Sequence, residues 1–357
     1  MTSYILRRLL LILPTLFGIM AINFIIVQAA PGGPVEQMIA KVRGLDVSAT
    51  ARVSGQQTTT MGAKDQRGRQ GLDPEFLDRI NTLYGFDKPI GERFFIMMKN
   101  YATFNFGDSY FRDRAVIDLI IDKMPVSISL GLWTTLLVYV LAIPLGIAKA
   151  MRDGSRFDVA TSSAVIVGNA VPGFLFAIIL IVVFAGGRYF DWFPLRGLVS
   201  ENWSTLSLWG QIKDYFWHLV LPIGSMVIGG FAGLTMLTKN SFLEEINKQY
   251  VMTARAKGLT ERRVMYGHIF RNAMLIVVAG FPSAFVGILF TGALMTEIIF
   301  SLDGLGLLGF EAALKRDYPV MFGSLYFFTL LGLILNLVGD VMYHLIDPRI
   351  DFEKVDR

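Results

Sequence analysis

"MPVSISLGLWTTLLVYVLAIPLGIA" runs from Met124 to Ala148 without one charged side chain. A membrane-spanning helix needs roughly 20 apolar residues, and this run is longer. Only a helix satisfies every backbone polar group of such a stretch inside lipid. The short alternating segments of an outer-membrane barrel, of ~10 residues each, are absent.

Five further runs share this composition: 9–35, 159–187, 215–238, 272–296 and 318–339. The chain is 53% hydrophobic and 17% charged, with a mean hydropathy of +0.51. A soluble domain carries about 25% charged residues. The expected fold class is therefore an all-α membrane protein with six transmembrane helices. Arg7 and Arg8 before the first run imitate a signal peptide, but the run outlasts a signal h-region and no A-x-A site ends it cleanly. We read it as a retained helix.

Orientation follows from the Lys and Arg residues. With the N-terminus inside, the cytoplasmic segments hold fifteen: Arg7, Arg8, Lys149, Arg152, Arg156, Lys239, Lys248, Arg255, Lys257, Arg262, Arg263, Arg271, Arg349, Lys354 and Arg357. The two short outer loops hold five: Arg188, Arg196, Lys213, Lys315 and Arg316. Segments beyond about 60 residues translocate regardless of charge, so the one between the first two spans does not count. N- and C-termini are expected in the cytoplasm. The net charge of +4 then reports topology and implies no nucleic-acid partner.

Along the chain we expect a first transmembrane helix at 1–30, an outer segment at 31–123, a five-helix core at 124–346 and a tail at 347–357. Gly44–Gly71 is small and polar and reads as an irregular insertion. Asp73–Pro74 opens a helix that Gly85 closes. A second helix covers Ile90–Tyr101, with Phe94, Phe95, Met98 and Tyr101 on one face. Those aromatics either pack internally or dock an outside partner.

The spans are rich in glycine and proline, as in "GNAVPGF" (Gly168–Phe174) and "IGGFAG" (Ile228–Gly233). Small residues let helices approach closely. Alternatively, bends at Pro172 and Pro282 shape a pathway, which Asn169 and Asn336, the main mid-helix polar groups, would line. Side-chain charge is nearly absent from the runs; Glu297 stands at the outer end of the fifth and Asp340 at the inner end of the sixth. Nothing marks a proton or sodium relay, and no inverted repeat is evident.

Enzyme chemistry finds little support. The chain has no cysteine, no H-E-x-x-H and no G-x-S-x-G. His218, His268 and His344 fall in separate segments and read as structural. No Walker A motif is present, so ATP is not bound here by a P-loop. Neither cofactor nor metal is implied.

Lys239–Asn272 carries seven basic and three acidic residues between two spans. Burying ten charges at the bilayer centre would cost about 25–35 kcal/mol, so the loop stays in water. Ile246, Tyr250, Val251 and Ala254 recur at helical spacing, and Gly258 is a natural stop. Thr260 then opens a second short helix carrying Val264, Met265 and Ile269. Two amphipathic helices hinged at Gly258 make a shaped knob. A basic surface held by anionic lipid fits the same pattern, and spacing alone leaves both open.

"ARAKG", nine residues, then "HIFRN" resembles the cytoplasmic E-A-A-type loop of binding-protein-dependent ABC importer permeases, in its dipeptide/oligopeptide form. Thr253 and Arg255 replace the Glu and second Ala of the general consensus. "YILRRLLLILPTLFGIMAINFIIVQAAPGGP", "YGFDKPIGERF", "FGDSYF", "FSLDGLGLLGFEAALKRDYPVM" and "DPRIDF" are similar to the B-type peptide permeases, nearest to the Yej-type that serves importers of microcin C and other peptides. The insertion at Gly44–Gly71 departs from the plainer dipeptide permeases.

The resemblance implies a type-1 ABC importer permease fold and a non-catalytic subunit in the bacterial inner membrane. It implies a second, C-type permease, ABC ATPase subunits or one fused tandem ATPase, a periplasmic peptide-binding protein, a peptide substrate and surrounding lipid. It also favours the knob: Ala254, Arg255, Lys257, Gly258, His268, Arg271 and Asn272 would form an ATPase-coupling loop, with His268 and Asn272 supporting it from within. A passive channel or secondary peptide carrier is the alternative, and an intramembrane enzyme a more distant one.

Overall fold

The computed structural model describes residues 2–29, 88–187, 189–287 and 293–346. The insertion at 44–71, the helix expected from Asp73 and the tail at 347–357 lie outside them. Eleven helices follow in order: α1 (Thr2–Ala29), α2 (Ile90–Ala102), α3 (Val116–Met151), α4 (Arg156–Ala170), α5 (Gly173–Phe184), α6 (Leu208–Ile246), α7 (Gln249–Ala256), α8 (Glu261–Gly287), α9 (Leu294–Ile299), α10 (Leu305–Lys315) and α11 (Tyr318–Ile346). Among the described residues β pairing is limited to one isolated bridge, Asp108 with Ala115.

Five of these helices, α1, α3, α6, α8 and α11, are long and apolar enough to cross a membrane. The sixth candidate is not straight: α4 and α5 meet at 88°. Proline disfavours helical backbone at the residue before it. Val171 is accordingly extended, at φ −84° and ψ 120°, and the run 159–187 breaks there. Pro282, by contrast, sits within α8 without ending it. It is buried against α11, where a Cβ on Gly339 would lie 3.3 Å from the ring.

The described residues divide into two compact units. The smaller comprises 9–29, 88–122 and 308–330. There Phe94 meets Phe17 and Phe24 edge-on, buried Tyr101 meets Phe106 and Tyr326 in the same way, and Phe106 and Tyr326 meet tilted. The aromatic face of α2 is thus largely internal; Phe95, 70% exposed, is its exception. Asp317 accepts from Ser109 Oγ at 2.5 Å and from the Tyr110 amide at 3.2 Å, while Arg112 pairs with Glu311 at 2.9 Å.

The larger unit holds two apolar cores. One joins Leu130, Ala177, Leu219, Leu221, Phe300 and Leu302; the other surrounds Phe242, Val251, Val264 and Ile269. Helices α3 and α6 approach so closely that a Cβ on Gly146 would lie 2.6 Å from the Thr238 side chain. His218 is buried with Nδ1 2.8 Å from the Asp214 carbonyl, as a structural histidine should be.

Two expectations about charge need correction. Glu297 does not end the fifth span: it belongs to separate α9, is fully buried, and accepts from Ser127 Oγ at 3.0 Å and the Leu307 amide at 2.7 Å. Lys149 is no loop cation. It is 0% exposed at the end of α3, paired with Asp158 of α4 at 3.0 Å. Ionisable groups at the ends of the apolar runs are therefore built into the fold with partners, Lys149 by an ion pair and Glu297 by hydrogen bonds, which is how their burial is tolerated.

Candidate functional site

The charged loop is ordered, and its order starts at Glu245. This carboxylate, nearly buried in the last turn of α6, accepts from Tyr250 Oη at 2.6 Å, from the Lys248 ammonium and from the Asn272 amide. Burial, with the adjoining carboxylate, raises the Tyr250 phenol above its usual range, so it remains a donor. The Lys248 ammonium is likewise held charged by its bond to Glu245. Three partners converge where the chain leaves α6, crosses Asn247 and Lys248, and enters α7.

Helix α7 has two unlike faces. Val251 and Ala254 are buried in the core formed by Phe242, Val264, Ile269 and Val277. Met252, Arg255 and, at the C-cap, Lys257 are exposed. The helix ends in a Schellman turn: the Leu259 amide donates to Ala254 O at 3.3 Å and the Gly258 amide to Arg255 O at 2.9 Å. Gly258 closes the turn at φ +78°, a left-handed conformation that costs other residues about 1–2 kcal/mol. Arg255 reaches back over it to pair with Glu261.

The second half of the loop corrects the expectation of two short helices. Thr260 occupies the N-cap position, without a side-chain bond, and the helix it opens continues into the fifth span. Val264, Met265 and Ile269 are buried, so helical periodicity persists through the charged sequence. A π-helical turn at Met265–Ile269 interrupts it; such turns insert one extra residue per turn and re-aim the side chains beyond. His268 is exposed on that turn, so it does not support the loop from within. Asn272 is exposed as well but is tied to the loop by a hydrogen bond to Glu245. Arg271 lies exposed on α8.

A cavity of about 490 Å³ opens among α3, α5, α6, α8 and α9. Its wall is uncharged: Thr134, Thr135, Tyr139, Ser225, Met226 and Thr296 alternate with glycines 173, 229 and 230. Most of its hydroxyls are already committed. Thr135 donates to Gly131 O, Ser225 to Pro222 O and Tyr139 to Val277 O. The four residues expected to line a pathway do not touch it. Pro172 precedes the lining pair Gly173–Phe174, and Pro282 is buried near lining Ala284. Asn169 is exposed on α4, and Asn336 is exposed on α11, where its amide oxygen lies 3.5 Å from Ser283 Oγ.

Sequence reasoning missed Glu245, Asp158 and the threonines of the cavity. Glu245 had a usable signal: an acidic residue on the apolar side of "FLEEINKQY". The threonines had none. Among the described residues no cluster of His, Asp or Glu is arranged to hold a metal.

Residues 142–352 match the family model described as "Binding-protein-dependent transport system inner membrane component". The chain is 58% identical over 363 residues, covering 100% of both chains, to the peptidoglycan transport system permease protein YejB of Agrobacterium fabrum. It is 32% identical to the oligopeptide transport system permease protein AppB of Bacillus subtilis, over 99% of this chain and 100% of that one. Among solved structures, the inward-facing MetNI methionine ABC transporter covers 64% of this chain and 97% of its own, with 16% identity and a TM-score of 0.48.

Proposed function

The chain belongs to the family of binding-protein-dependent transport system inner membrane components, and from that premise we propose that it is the B-type permease of an ATP-driven importer of peptides. It is a multi-pass inner-membrane transport subunit, so the open questions are what it moves and what drives it. The class of substrate is read from its relatives, one named for peptidoglycan transport and one for oligopeptides. Peptides and peptide-like compounds, microcin-C-like ones included, fall within that class.

One observation carries the drive mechanism. Helix α7 is clamped on its inner face by Val251, Ala254 and the Glu245 cluster, and offers Met252, Arg255 and Lys257 outward. A slack lipid-bound loop has no use for so determined a conformation. A rigid knob does, if motion must pass through it. The chain lacks a P-loop, so ATP hydrolysis is assigned to partner ATPase subunits or a fused tandem ATPase docking on α7. A second, C-type permease and a periplasmic peptide-binding protein complete the complex, with both termini of this chain in the cytoplasm.

The uncharged cavity wall supports the same reading. With most of its hydroxyls committed internally, it offers a peptide weak contacts, which suits passage more than retention.

The test is uptake of radiolabelled oligoalanine by cells carrying the full importer, with and without the ATPase. Loss of uptake with the ATPase supports the proposal. Uptake that persists without it would establish a passive channel or secondary carrier instead.

A further inference from the structure

Three helices of the larger unit meet at one carboxylate. Asp158, 4% exposed in the first turn of α4, receives Lys149 of α3 at 3.0 Å and Lys239 of α6 at 2.7 Å. The Gly154 amide, in the α3–α4 turn, donates to its Oδ2 at 3.2 Å. Lys149, itself fully buried, also donates to Asp158 O, Thr161 Oγ1 and Ser162 Oγ at 2.9, 3.0 and 2.6 Å. Lys239 reaches the turn a second time, through Asp153 at 2.8 Å. The two cations and two carboxylates balance, so the cluster carries no net charge.

Its position gives it a use that stability alone does not require. Buried ion pairs are weak sources of stability, because desolvation offsets the attraction. Their geometry, however, is definite. Lys239 precedes Glu245, the anchor of the α7 loop, by about 9 Å along the same helix. Asp158 stands about 20 Å along α4 from the Pro172 bend, beyond which Gly173 and Phe174 line the cavity. A shift of the loop carried by α6 therefore reaches α4 at this joint, beside the direct apolar packing of α5 on α6, and α4 leads to the cavity wall.

We infer that Asp158 is a positioning residue for transport, pinning the bent helix pair α4–α5 to α6 so that movement at the α7 loop is passed to the cavity. This rests on the proposal that α7 receives the ATPase. The two partner lysines are both needed: Lys149 fixes Asp158 to α3, and Lys239 delivers the motion of α6.

The complete importer, reconstituted in vesicles with its ATPase, second permease and binding protein, provides the test. ATP hydrolysis and oligoalanine uptake are measured together for Asp158→Asn, Asp158→Glu and Lys239→Gln, with Gly258→Val as reference. A joint that only stabilises the fold loses both activities in proportion. Asp158→Asn should instead leave hydrolysis nearly intact and lower uptake per ATP about three- to tenfold, with Asp158→Glu recovering part of it. Lys239→Gln keeps the buried Lys149–Asp158 pair, so it assembles even if Asp158→Asn does not, and should show the same uncoupling. Uptake per ATP equal to the unsubstituted complex in Lys239→Gln overturns the inference. If Gly258→Val is also unaffected, the loop reading falls with it; if Gly258→Val is impaired while Lys239→Gln is normal, only the joint is wrong.

Discussion

Arg255 and Glu261 form a two-pronged ion pair across Gly258, Nε to Oε1 at 2.8 Å and Nη2 to Oε2 at 3.1 Å. The pair joins the last turn of α7 to the first turn of α8 and spans the one left-handed residue between them. Its side chains are 40% and 64% exposed, so it holds the turn lightly and leaves the guanidinium accessible.

Those exposures separate clasp from docking group. An exposed pair contributes at most about 1 kcal/mol, so Glu261→Gln should lower the melting temperature by no more than about 4 °C and leave uptake nearly unchanged. Arg255→Glu places a like charge against Glu261 and removes the cation offered to the ATPase. It should cut uptake at least about tenfold, as loss of an interfacial arginine does. Equal effects of the two substitutions would mean that Arg255 serves the turn only.

At Gly258 the constraint is conformational, since nothing lies within 4 Å of where a Cβ would stand. Valine resists φ +78° and should reopen the turn, whereas asparagine tolerates it. Uptake should therefore fall steeply for Gly258→Val and remain substantial for Gly258→Asn, with both proteins present in the membrane at normal levels. A parallel loss in both would point to crowding against a partner surface.

Glu245 is the polar anchor of the loop. Glu245→Ala strands the part-buried Tyr250 hydroxyl, and an unmet donor there costs at most about 1–3 kcal/mol, while Lys248 returns to water. The loss is local, so its readout is local opening. Trypsin should cut after Lys248, Arg255 and Lys257 faster in inside-out vesicles of the variant. Glu245→Gln, which retains an accepting oxygen, should fall between the two. Identical cleavage rates would show that α7 is held by Val251 and Ala254 alone.

What the sequence disclosed and what it hid follow one physical line. The Gly258 turn and the Val251–Ala254 face were legible because their causes are local: a left-handed residue, and apolar side chains three apart on a helix. The start of α8 was misplaced because apolarity, not periodicity, was used to bound the run; Val264 and Ile269 extend the helix through charged sequence. The ion joint was illegible. Lys149 and Lys239 end apolar runs as topology-setting cations do, and Asp158 lies 81 positions from Lys239. Glu297 and Ser127 meet across 170 positions. Pairings that distant are written in the fold, and one chain without its homologues does not reveal them.

The bend at Pro172 was one of two readings the sequence offered, and its origin can be isolated. Val171 is extended because a proline follows it, and Pro172 in turn starts α5 by accepting from the Leu175 and Phe176 amides at 2.9 and 3.2 Å. With Pro172→Ala the restriction on Val171 disappears, and "AVIVGNAVAGFLFAIIL" becomes a sequence that helix can propagate through at little cost. Straightening α4 into α5 would withdraw Gly173 and Phe174 from the cavity wall. Because the chain has no cysteine, Phe174→Cys gives a clean reporter there. A small maleimide should label it in the otherwise unsubstituted importer and label it several times more slowly in the Pro172→Ala background, with uptake falling in step. Labelling and uptake that both survive the substitution would show that the bend is imposed by helix packing, and that Pro172 merely occupies it.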